Sequence, residues 1–119
     1  MAAPVEPKEY VYGLLQHGFL DDALPLLEVL DGMLDDPDLA YNHGVCLSEL
    51  GRVQEAIPVL QRCVHFDPAH TRAHVALGVA SARTGDNEAA AGSLRTALEL
   101  DPSNTFAVRN LAAVLANLG

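Results

Sequence analysis

Cys63, His65, His70 and His74 fall within a dozen residues of one another, and His43 and Cys46 stand three apart. Imidazole and thiolate are the usual zinc ligands, so both groups invite a metal reading. Their registers argue against it. Cys63 falls on the apolar side of a helical run, where the chain 34 residues further on has Ala97. His74 takes a packing position early in another run, with His70 in the junction before it. His43 and Cys46 both face a neighbouring segment. The acidic pairs Asp21-Asp22 and Asp35-Asp36 fall at helix starts or in turns, where carboxylates cap backbone N–H groups and suit the helix dipole. Such solvated carboxylates have no reason to acquire the split proton affinities of acid–base catalysis. No glycine-rich phosphate loop or nucleophile elbow occurs. The expectation is a non-enzymatic protein with no metal and no cofactor.

The elements that carry these residues are helical by composition. The 119 residues include 18 Ala and 19 Leu, and only six aromatics, none of them Trp. Alanine and leucine are the strongest helix formers, and a chain of this length can bury one modest core. Sixteen acids against seven bases give a net charge of -9, which disfavours nucleic acid or an anionic membrane surface as partner. The charge is uneven: residues 1–38 hold nine acids and one base, residues 39–119 seven acids and six bases. Two cysteines do not make a disulfide framework, Met1 to Pro7 lacks the pattern of an export signal, and no apolar run reaches membrane-spanning length. These features predict a soluble, cytoplasmic protein.

A repeat organises the chain. Shifted by 34 residues, Gly44 falls on Gly78, Gly51 on Gly85, Ala56 on Ala90, Leu60 on Leu94, and Asp67-Pro68 on Asp101-Pro102. Shifted by 33, Gly18, Ala23 and Leu27 fall on Gly51, Ala56 and Leu60. The units span about 4–36, 37–70 and 71–104, with a C-terminal helix over 105–119. Each unit holds two apolar runs at helical spacing, hence a helical hairpin. Gly18, Gly51 and Gly85 end the first helix, and the Asp-Pro steps end the second. Gly44 and Gly78, facing Ala56 and Ala90, let two backbones approach closely. Pro25 and Pro58 read as prolines near the first turn of their helices.

The segments LAYNHGVCLSELGRVQEAIPVLQRCVHFDP and AHVALGVASARTGDNEAAAGSLRTALELDP carry a Gly, Gly, Ala, apolar, Ala/Cys, Pro pattern that resembles the tetratricopeptide repeat. The resemblance covers nearly the whole chain, most strongly in the second and third units. Ala40 and His74 stand where that family favours Trp, and Ser81 where it favours Tyr. It implies an all-α solenoid of antiparallel helical hairpins, about seven helices in a single domain over 1–119. It also implies a right-handed superhelix whose concave wall is lined by the first helix of each unit.

Placed on that wall, the first-helix positions facing away from partner helices are Lys8, Tyr12 and Gln16; Asp38, Tyr41, Asn42, Val45 and Glu49; Arg72, Val75, Ala76, Val79 and Arg83; and Phe106, Arg109, Asn110 and Ala113. The principal binding candidates are Lys8, Tyr12, Tyr41, Asn42, Val45, Arg72, Val75, Val79, Arg83, Arg109 and Asn110. Four of the seven bases lie on this wall with only two of the sixteen acids. Family members that hold a peptide's terminal carboxylate use Lys and Asn, then Asn, then Lys and Arg, in successive repeats. Lys8, Asn42 and Arg72 match in kind, whereas Tyr12 and Ala76 depart.

The last helix carries Val108, Leu111, Val114, Leu115 and Leu118, enough for two faces, and Gly119 stands where Gly51 and Gly85 lead into a second helix. This predicts a surface for continuation of the array, for pairing with a second copy, or for a partner's helix. The sequence thus predicts an adaptor or scaffold that binds a protein or peptide, acidic or bearing a free C-terminal carboxylate. A small chaperone for secretion or assembly clients is the alternative, and the regulatory part of a larger enzyme a distant third.

Overall fold

The computed structural model describes residues 6–119 and contains seven helices: α1 (Pro7–Gln16), α2 (Leu20–Met33), α3 (Pro37–Glu49), α4 (Val53–Phe66), α5 (Thr71–Arg83), α6 (Asn87–Leu100) and α7 (Thr105–Leu118). They pair as α1 with α2, α3 with α4 and α5 with α6, and each hairpin stacks on the next. Backbones approach only between successive helices, apart from α3 with α5 and α5 with α7. The result is an all-α stack measuring 60 × 26 × 23 Å. No described helix is long and apolar enough to cross a membrane.

The hairpin turns form where glycine permits them. Gly18, Gly51 and Gly85 have φ of 77°, 85° and 89°, a left-handed conformation that side chains with a Cβ resist. At the other end of each hairpin, side chains start the next helix. Asp36 accepts the N–H of Asp38, His70 Nδ1 that of Ala73, and Asn104 that of Ala107.

Small residues set the distance within each hairpin. A Cβ on Gly44 would stand 2.6 Å from Leu60, and one on Gly78 2.7 Å from Leu94. Leu60 and Leu94 are fully buried, with Ala56 and Ala90 beside them. In the first unit Val11 takes the glycine's place and packs into the same core.

Pro25 and Pro58 lie one turn deeper than the first-turn placement predicted from sequence, at the sixth residue of α2 and α4. Each removes one intrahelical N–H, yet both helices continue past it and both prolines face solvent. The apolar residues that follow, Leu27 and Leu60, are fully buried, so core packing holds the helix through the break.

Candidate peptide-binding groove

The first helices of the second and third units lie side by side, and the groove along them is also lined by the start of α7. Its volume is about 470 Å³. Tyr41, Val45, Ser48 and Glu49 come from α3, Arg72, Val75, Ala76, Val79 and Arg83 from α5, and Asn104 and Phe106 from the start of α7. The valines follow from helical periodicity. Positions three and four apart share a face, so Tyr41, Val45 and Glu49 line one wall and Arg72, Ala76 and Val79 the other.

The floor is apolar and cations stand at both ends. Arg72 opens α5 and Arg83 closes it, eleven residues later, which is about 16 Å of helix. The Arg72 guanidinium lies 5.0 Å from the centre of the Tyr41 ring, within cation–π range. The His70 ring lies 5.0 Å from the same ring and reaches toward Asp38 at 3.3 Å. Burial pushes the Tyr41 phenol above its ordinary pKa, against the opposing pull of Arg72. At the other end Arg83 Nη1 donates to the Ser48 carbonyl at 3.1 Å, which anchors the guanidinium while leaving its other donors available. Neither arginine has an acidic partner among the described residues.

Of the principal candidates, Tyr41, Val45, Arg72, Val75, Val79 and Arg83 line this groove, with Glu49, Ala76 and Phe106 from the wider wall, and Lys8, Tyr12, Asn42, Arg109 and Asn110 do not line it. Lys8 is held in an ion pair by Asp36 and sits 6.0 Å from the Tyr12 ring. That pairing raises the Lys8 pKa and lowers that of Asp36. The Tyr12 hydroxyl is buried with no hydrogen-bond partner among the described residues. The Asn42 amide donates to the Asp38 carbonyl and the Asn110 amide to the Phe106 carbonyl, both at 2.8 Å. Of Lys8, Asn42 and Arg72, the first two thus have partners within the chain, whereas Arg72 has no acidic partner among the described residues. Ser48 and Asn104 are groove residues that the sequence reading passed over. Ser48 lies one turn beyond Val45 on the same face, and Asn104 is drawn in by its role as the cap of α7.

Both cysteines, His43 and His74 have partners within the chain. Cys63 is fully buried and its thiol donates to the Pro37 carbonyl at 3.2 Å, while Cys46 lies 3.5 Å from the Leu20 carbonyl. His43 Nδ1 donates to Asp31 at 2.8 Å, and Arg62 pairs with the same buried carboxylate, tying α2, α3 and α4 together. His74 donates to the Pro68 carbonyl at 2.9 Å.

On α7 the five apolar residues of the predicted outer surface divide. Val114 is buried with Ala90, Ala91, Leu94 and Ala107, and Leu111 packs half-buried against them. Val114 is thus a core residue rather than a surface one, since α7 must cover α6. Val108, Leu115 and Leu118 remain exposed.

Tetratricopeptide repeat sequence patterns match residues 11–69 and 47–115. The chain belongs to the tetratricopeptide repeat family. The peroxisomal targeting signal receptor of Komagataella phaffii is 35% identical over 86 residues, 71% of this chain and 15% of that protein. This chain therefore spans about one-seventh of that relative's length. Among solved structures, the first TPR of Spaghetti (RPAP3), bound to the HSP90 peptide SRMEEVD, superposes with a TM-score of 0.89 at 23% identity, over 94% of this chain and 90% of that one. The Yersinia enterocolitica type III secretion chaperone SycD, in complex with a peptide of the translocator YopD, gives 0.87 at 18% identity, over 95% and 92%. At those identities the structural likeness establishes the shared fold.

Proposed function

We propose that this repeat domain is a non-enzymatic protein-interaction module that takes an extended peptide segment of a partner protein into the groove between α3 and α5. The observation that carries the reading is the apolar floor of Val45, Val75, Ala76 and Val79 with Arg72 and Arg83 at its two ends, neither in an ion pair with an acid among the described residues. An extended peptide advances about 3.3 Å per residue, so acidic groups roughly five residues apart reach both arginines across an apolar centre. A terminal carboxylate serves as well as a side chain at either end. Each partly desolvated contact with an arginine adds about 1.5–3 kcal/mol, and with apolar burial two such contacts give micromolar affinity. That related folds are seen with bound peptides supports this reading, as does the use of concave surfaces by stacked repeats.

A synthetic peptide with two Glu about five residues apart around Val and Leu tests it. We expect Arg72→Ala with Arg83→Ala to weaken its binding at least tenfold by titration calorimetry, with helical signal and Tm unchanged. Equal affinity of parent and variant, or equal affinity for the same peptide with Lys in place of Glu, defeats the assignment.

A further inference from the structure

The outer side of the first hairpin carries an apolar stripe that the groove does not use. On α2, Leu26, Val29 and Met33 are 37%, 59% and 74% exposed. They are spaced three and four apart, so they share one face of the helix with Pro25 at its edge. Leu34, just past the helix, is also exposed. Contiguous exposed apolar side chains of this size mark contact surfaces.

The charges around the stripe select what covers it. Asp21, Asp22 and Glu28 lie on the exposed side of the same helix and Asp35 just beyond it, and none forms an ion pair among the described residues. The one base of residues 1–38, Lys8, is taken up by Asp36. A second copy of this chain brings the same acids to the contact, and an anionic lipid surface brings more negative charge, so both are repelled. A partner with apolar residues on one face and lysine or arginine along its borders meets the stripe and the acids together.

We infer that the convex face of α2 is a second docking surface, for a basic amphipathic helix of another protein. From Asp22 to Met33 the face runs eleven residues, about 16 Å or three turns, which suits a helix of three to four turns laid along it. No residue of this stripe lines the groove, so the two sites can be varied separately.

The test uses the full chain and a synthetic helix of about fourteen residues with Leu on one face and Lys on the other, with a Leu and Glu peptide of the same pattern as control. We expect amide shift changes concentrated in α2 and its flanking turns, and no binding of the Glu peptide. Val29→Ser with Met33→Ser should weaken the complex at least tenfold without altering the melting curve. Asp22→Asn with Glu28→Gln should weaken it and flatten its salt dependence. Arg72→Ala with Arg83→Ala should leave it unchanged. Shift changes spread over the acidic surface or centred on the groove overturn the inference, as does undiminished binding by either α2 variant. Concentration-dependent dimerisation of the chain alone that Val29→Ser with Met33→Ser abolishes assigns the face to a second copy instead.

Discussion

Burial pushes the Cys63 thiol up to about 11, with Asp67, Asp38 and Asp31 adding to the shift. An inert thiol in a packed helix face is the consequence, since the thiolate is the reactive form. Folded protein treated with iodoacetamide at about pH 8 should keep Cys63 unmodified, and denaturant should expose it to complete alkylation, as read by mass spectrometry. The raised pKa also fixes a sign. The contribution of this thiol is fully present below its ordinary 9.0 and is lost as pH rises toward about 11, because the unfolded chain releases its proton first. Urea midpoints should therefore fall less between those limits for Cys63→Ala than for the parent. That Cys63 belongs to the core was legible in the sequence, from the alanine one repeat later. The Asp31, His43 and Arg62 cluster was not read, though a signal existed: Asp31 stands where later units have Val64 and Leu98, and His43 where the next has Leu77. A carboxylate and an imidazole at apolar positions of adjoining units are a buried pair in waiting, but which partners they choose depends on stacking that periodicity does not describe.

Within the hairpins, the repeat shift revealed both helices and the glycine turns, because one local geometry recurs and is marked by the same residue each time. It misplaced Pro25 and Pro58 by a turn, since the second helices already begin at Leu20 and Val53, directly after the glycine turns. Glycines inside helices divide into two kinds that the sequence does not distinguish. Gly44 and Gly78 face buried leucines at distances no Cβ tolerates, whereas Gly32 and Gly92 have no neighbouring atoms within 4 Å. Gly78→Ala should destabilise by about 1–3 kcal/mol, since Leu94 has no space to yield and the Ala90 carbonyl is 3.2 Å away. Gly92→Ala should instead stabilise by up to about 1 kcal/mol through helix propensity alone. Chemical denaturation of the two variants measures both, and a loss of stability in each means that helix packing at Gly92 is closer than the backbone indicates.

Across the molecule, charge is partitioned by side. The net -9 describes an acidic protein, yet the groove wall carries two arginines with no ion pair among the described residues and a single acid, Glu49, while most acids fall on the first hairpin, on caps and in turns. The groove was legible in outline because the wall repeats every 34 residues. Its ends were not, because Lys8 and Asn42 turn to partners of their own. A stack joined only through neighbouring helices should also lose structure in stages. In hydrogen exchange, amides of α4, α5 and α6, packed on both sides, should be the slowest, with α1, whose backbone meets α2 alone, among the fastest. Uniform protection along the chain would mean a single cooperative unit. The same nearest-neighbour construction gives the groove an adjustable gauge. Because α3 meets α5, and α5 meets α7, far more slightly than successive helices meet one another, small tilts at each junction open or narrow the channel along its length. Its width is therefore an elastic property of the stack, tuned by residues far from any side chain a ligand touches.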